Sequence, residues 1–193
     1  MIREIAEKGA DFFIEYNADS TMREVYAYAI ECVVSTAIIV GLLMLAGAIL
    51  NKFLPMLIYI AAWIVLRIFV GGLHANSHFG CTVISVVLGV VAILLSKNID
   101  VLPKMVIIAV TVLCYVFIFF SAPIIHKNHP VSAHRRKKMK VAAKVVGAAE
   151  AISIIMLALL RKEIYTYLFM AYLTTAILGI LGYFNKNTLR EYE

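Results

Sequence analysis

Residues 67–85 read RIFVGGLHANSHFGCTVIS, and the chain on either side of them is apolar for about the length of a membrane-crossing helix. Arg67, the pair Gly71–Gly72, His74, His78 and Cys81 therefore interrupt a hydrophobic background. A charged side chain at the centre of a span costs about 2.5–3.5 kcal/mol on insertion scales, so such groups mark either a function or a place where the chain leaves the lipid. Glycine weakens a helix and lets backbone approach closely. The stretch thus separates two membrane spans, with the glycine pair ending the first.

Counting outward gives six apolar runs, at 27–50, 53–70, 79–96, 104–125, 141–160 and 163–184. Each is long enough, or nearly so, to cross about 30 Å of hydrocarbon at about 1.5 Å per residue. Composition agrees: of 193 residues, 63% are hydrophobic and 16% charged, with a mean hydropathy of +0.91. Soluble domains carry about a quarter charged residues, so a water-soluble fold is excluded. Pro55 opens the second run, where a missing N–H costs little. Lys144 and Glu150 lie within the fifth run and are expected to face the bundle interior.

Upstream, residues 2–16 (IREIAEKGADFFIEY) repeat helically, with Ile2, Ile5, Gly9, Phe12, Phe13 and Tyr16 on one side and Glu4, Lys8, Asp11 and Glu15 on another. Two placements fit this amphipathic helix: in the membrane interface, or packed on the rest of the protein. Residues 1–16 lack the apolar core of a cleavable signal peptide. The sequence NADS then turns the chain, and Thr21 with Glu24 three residues later fits a capping box. The expected fold is an all-α membrane protein of six transmembrane helices plus an N-terminal amphipathic interfacial helix. It forms one domain over 1–193, divided into the interfacial helix (1–20) and the membrane region (27–184).

Charge orients the bundle. Of the 18 Lys and Arg, 11 fall on the side shared by both termini and five on the other, with Arg67 and Lys144 inside runs. The positive-inside rule then places both termini, and the 67–85 stretch, on the cytoplasmic face of a cell membrane. The densest basic run is HRRKKMK, residues 134–140. It suits anionic lipid, at about 1 kcal/mol per residue near the surface, or an acidic peptide docked on Arg135, Arg136, Lys137 and Lys138. Glu31 is a further candidate substrate contact, its alternative role being an ion pair inside the bundle. The run lacks interleaved aromatics, so nucleic acid is not an expected partner. Cys32, Cys81 and Cys114 do not form a disulfide framework; Cys32 and Cys114 read as small buried hydrophobes.

Cys81 is different because histidines stand near it. A free thiol has a pKa of about 8.5, and an imidazole that accepts its proton turns it into a nucleophile. His74 is seven residues before Cys81, about 10 Å along an ideal helix axis, so this pair needs the backbone to fold back. Gly71, Gly72, Asn76, Ser77 and Gly80 make such a bend reasonable. His78, three residues before Cys81, meets it on an unbroken helix. His74, His78 and Cys81 also have the spacing of metal ligands on one helix face. A zincin-type protease wants a Glu directly after the first His, and Ala75 stands there. No metal or other cofactor is expected. His126 and His129 lie on the same side as His74 and are candidate substrate contacts.

The pattern Arg67–Ile–Phe–Val–Gly71–Gly72–Leu–His74–(x6)–Cys81 resembles the signature of the AgrB family, the accessory gene regulator B peptidases. So do SAPIIHKNHPVS at 121–132, followed by basic residues, and YAYAIE ending at Glu31. The resemblance implies a membrane cysteine endopeptidase of Gram-positive bacteria. Such an enzyme cuts a short AgrD-like precursor peptide on its C-terminal side and cyclises the rest into a quorum-sensing pheromone. It implies Cys81 as nucleophile and His74 as base, with Arg67, Gly71 and Gly72 supporting. The expected partners are that precursor, with an acidic C-terminal tail, anionic lipids, and a second copy of the chain, because small bundles often pair. The alternatives are a small transporter or channel, which intramembrane Glu31, Lys144 and Glu150 would suit, and a His/Cys metal-dependent membrane protease.

Overall fold

A computed structural model of the chain describes residues 2–16, 19–72, 78–126, 132–184 and 188–189. Seven α-helices are found among the described residues: α1 (Ile2–Glu15), α2 (Arg23–Ile49), α3 (Phe53–Val70), α4 (His78–Ile99), α5 (Lys104–Ser121), α6 (Ala133–Leu159) and α7 (Ile164–Tyr183). Two short strands, β1 (Ile125–His126) and β2 (Thr188–Leu189), pair antiparallel. Helices α2 to α7 are long and apolar enough to cross a membrane, so the chain is an all-α, multi-pass membrane protein.

In lipid every backbone group must find a partner within the chain, which a helix supplies by itself. What then arranges the six spans is close packing and a few buried polar contacts. Helix α7 is the hub, packed against α3, α4, α5 and α6. Twelve of its 20 residues are buried, among them Thr166, Ala171, Thr174, Thr175, Gly179 and Gly182. These small residues let neighbouring helices approach. In the core the Tyr59 and Thr174 hydroxyls hydrogen-bond at 3.1 Å, and the Tyr172 hydroxyl donates to the Gly147 carbonyl at 3.0 Å. Val33, Leu45, Leu54, Leu113, Val145 and Leu181 are exposed on the outside, where lipid tails replace water.

The helices alternate in direction, so the N-termini of α2, α4 and α6 share one end of the bundle with the C-termini of α3, α5 and α7. The opposite end is closed by a three-way contact. Lys104 donates to Asp100 at 2.7 Å and to the Tyr165 hydroxyl, which itself donates to Asp100 at 2.8 Å. This joins the end of α4 to the starts of α5 and α7.

Several helix ends differ from the sequence reading. The fourth span stops at Ser121 instead of 125, because Pro123 cannot continue the helical ladder. The fifth helix starts at Ala133, eight residues before the apolar run, capped by Ser132, whose hydroxyl accepts from the Arg135 N–H. Hydropathy marks where lipid begins, and α6 is already helical before that point. The side-chain cap ahead of α2 is Asp19 and not Thr21: it caps the short 3-10 turn Ser20–Met22 that leads into α2, its carboxylate accepting from the Thr21 N–H at 2.9 Å and the Thr21 hydroxyl at 2.7 Å. Lys144 and Glu150 are half-buried as expected. The Lys144 amine lies 3.7 Å from the Phe119 ring centre.

Helix α1 folds back along α2. Ala6 and Ala10 are fully buried, and Gly9 sits so close to Ile30 that a Cβ there would lie 2.8 Å from its Cδ1. Arg23 clasps Asp11 with two hydrogen bonds of 2.6 and 2.9 Å. Phe12, Phe13 and Tyr16 stay exposed. The packed face is thus centred on small residues, Ala6, Gly9 and Ala10, at the edge of the apolar side picked out by periodicity.

Candidate active site

The site end is built on the turn after α3. Glycine is required there twice. Gly71 has φ +73° and Gly72 φ +133°, a region that side chains with a Cβ rarely adopt. A Cβ on Gly71 would strike the Ile124 carbonyl, and one on Gly72 the Arg67 guanidinium.

Arg67, in the last turn of α3, explains the second clash. Its side chain is half-buried and curls over the turn, donating from Nη1 to the Gly71 carbonyl at 2.7 Å. It therefore fixes the chain immediately upstream of His74. The Gly71 N–H closes α3 by donating to the Arg67 carbonyl at 3.0 Å. The turn is also tied sideways: the Ile124 N–H donates to the Val70 carbonyl at 2.9 Å, and Gly71 and Ile124 form a parallel bridge.

Cys81 lies in the first turn of α4, half-buried and unbonded to another cysteine. It is within electrostatic reach of the Arg67 guanidinium and of the Cys32 thiol on α2. The structure thus places Cys81 at the same end of the bundle as the Arg67–Gly71–Gly72 turn and within electrostatic reach of its arginine. His74 lies outside the described residues, as does His129. The backbones of His78 and His126 are described in α4 and β1, but their side chains are not.

On α2 the sequence pointed to Glu31 but not to the Tyr28–Cys32 pair beside it. Cys32 is half-buried and hydrogen-bonds the Tyr28 side chain one turn earlier. Glu31, also half-buried, lies in the same turn, within electrostatic reach of Cys32 and of Arg3 on α1. The usable signal was the four-residue spacing of Tyr28 and Cys32 beside an intramembrane Glu. Cys114 is half-buried and packed against the core, as a small hydrophobe would be.

The basic residues Arg135, Arg136, Lys137 and Lys138 occupy the first two turns of α6, all exposed except the half-exposed Arg136. Arg135 comes within electrostatic reach of Tyr28. Helices α2 and α6 have 27 residues each, about 40 Å, against a hydrocarbon core of about 30 Å. Both therefore project beyond the shorter α3 and α5 at the site end. They carry Glu31 and the basic turns to the end of the bundle at which Cys81 lies in the first turn of α4.

Fold and site together define a helical multi-pass membrane protein with a free thiol at the rim of its bundle. The chain belongs to the Accessory gene regulator B family, whose model matches residues 6–183. It is similar to an AgrB-like protein of Clostridium perfringens strain 13, with 27% identity over 141 residues, 69% of this chain and 64% of that protein. It is also similar to the accessory gene regulator protein B of Staphylococcus carnosus, with 29% identity over 112 residues, 58% of this chain and 56% of that one. The chain spans less than two thirds of the length of these curated relatives. No solved structure matches it.

Proposed function

We propose that the protein is a membrane-embedded cysteine endopeptidase that matures a short signalling peptide. In this reading Cys81 is the nucleophile and His74 its base. The observation that carries it is the position of Cys81, beside the turn held by Arg67, Gly71 and Gly72, in a chain of the Accessory gene regulator B family.

The chemistry follows from those groups. His74 accepts the Cys81 proton, and the thiolate attacks the scissile carbonyl of the precursor. The C–N bond breaks, His74 returns the proton to the leaving amine, and the C-terminal tail departs. The retained part stays on Cys81 as a thioester. A thiol or hydroxyl within it attacks the thioester carbonyl, the C–S bond breaks, and a thiolactone or lactone ring is released. Attack within one molecule benefits from a high effective concentration, and a rim at the edge of lipid limits competing water.

The partners are an AgrD-like precursor with an acidic tail, met by the basic turns of α6, together with anionic lipid around the projecting helices and a second copy of the chain. The site and both termini face the cytoplasm. Co-expression with the short reading frame beside the gene, followed by peptide mass analysis, tests the reading. Tail loss with dehydration is expected in wild type and in His78→Ala, and neither in Cys81→Ala nor in His74→Ala. Processing that survives Cys81→Ala would end it, and processing that also stops with a chelator would point to metal held by His74 and His78.

A further inference from the structure

Three separate parts of the chain meet in one backbone network beside the site. Ile124 is bonded to Val70 and bridged to Gly71, at the turn after α3. The next two residues, Ile125 and His126, pair with Leu189 and Thr188 beyond α7. Strand β1 therefore continues directly from the residue that holds the site's turn, and its other edge is taken by β2.

Strand β1 is anchored by buried residues. Ala122, Ile124 and Ile125 are buried at the mouth of the bundle, which fixes β1 in place. Strand β2 is two residues long and lies beyond the end of α7, where Tyr183 and the next residue, Phe184, are exposed. So short a ladder is weak, and β2 is the exchangeable partner. An edge of this kind accepts an extended peptide through main-chain hydrogen bonds, with little demand on side chains.

We propose that the edge of β1 at Ile125–His126 is the subsite that takes the extended backbone of the precursor, and that Thr188–Leu189 occupies this edge until the precursor displaces it. The proposal rests on the peptidase reading and adds a direction to it. Leu189 pairs with Ile125 and Thr188 with His126, so the strand opposite β1 runs toward Ile124 and the Gly71 turn. A precursor bound in the same sense points its C-terminal end at Cys81. The paired residues are then those on the N-terminal side of the scissile bond, which remain on the enzyme as the thioester. Holding that half while the tail leaves keeps the acyl chain at the rim for ring closure.

The test uses full-length protein in lipid nanodiscs, a chain lacking residues 185–193, and a full-length Thr188→Pro/Leu189→Pro variant that removes both β2 N–H donors. The probe is the synthetic precursor encoded beside the gene. Its binding is measured on Cys81→Ala forms and its turnover on active ones. Both tail variants are expected to bind it about three- to tenfold more tightly, as loss of a competing two-residue ladder implies, with turnover at saturation unchanged. A spin label at Leu189→Cys, in a background with Cys32, Cys81 and Cys114 replaced by Ala, is expected to become mobile as precursor is added. The amides of Ile125 and His126 should stay protected. Unchanged or weaker binding by the tail variants, or a label that stays immobile while precursor is bound, overturns the subsite. Lower turnover at saturation in both variants overturns it as well, because β2 would then be supporting the turn. If full-length wild type neither binds nor cleaves the precursor, the peptidase reading itself fails and takes the subsite with it.

Discussion

Arg67 shows what one side chain does at the edge of a membrane. A cation near a helix end is usually free to reach toward head groups, and the sequence allowed that role as readily as a motif position. In the structure its guanidinium turns inward to the Gly71 carbonyl, and Gly72 leaves the room it needs. Gly72→Ala is expected to cost at least tenfold in precursor processing while the protein still inserts and purifies, since a positive φ with a Cβ costs about 1–3 kcal/mol before the clash is counted. Arg67→Lys keeps the charge but not the flat, forked donor, so it should be nearly as damaging; wild-type rates in Arg67→Lys would assign Arg67 to charge alone. Cys81 and the glycine pair were legible as residues. The Tyr28–Cys32 contact was overlooked, because a thiol inside an apolar run looks like filler unless the residue one turn earlier on the same helix is read with it.

At the level of elements, the apolar runs located all six spans, because lipid imposes one length and one composition on each. Helix ends were less legible wherever helix and lipid do not stop together, as at Ala133. The docking of α1 was hidden for a different reason. The periodic pattern draws the eye to the large Phe12 and Phe13, whereas the closest packing is made by Ala6, Gly9 and Ala10, with Phe13 adding a ring contact to Tyr26. Ala10→Phe is therefore expected to release α1 from α2, read as faster amide exchange throughout residues 2–15. Asp11→Asn should leave it docked, because the Asp11–Arg23 pair is exposed and water screens it. The far end of the bundle should respond to acid. Hydrogen bonds from Lys104 and then Tyr165 hold the Asp100 carboxyl below its usual range. A lowered folded pKa contributes stability that is present above the unfolded value, about 3.9, and is lost as pH falls through the folded value. The thermal melting temperature in detergent should thus fall as pH drops below about 4 in wild type, and this part of the fall should be absent in Asp100→Asn.

For the whole molecule, the distribution of Lys and Arg predicts a sidedness that can be measured directly. With Cys32 and Cys114 replaced by Ala, a membrane-impermeant thiol reagent should label Cys81 in inside-out vesicles and spare it in right-side-out ones. The reverse pattern would invert the topology. The order of helices around α7 was not legible from hydropathy, because all six spans are similarly apolar. The hint lay in α7's Thr174–Thr175 pair and its Gly179 and Gly182, small residues that suit a helix enclosed by others.

That enclosure has a consequence for how the protein is made. The ribosome delivers α7 after every helix that packs on it, so α2 to α6 must wait in the bilayer with their inner faces covered by lipid or by one another. Assembly of the bundle therefore belongs to the end of synthesis. A chain interrupted before Ile164 would carry Cys81 and its turn but lack the hub beside them, and the cell would hold the complete arrangement only on finished copies.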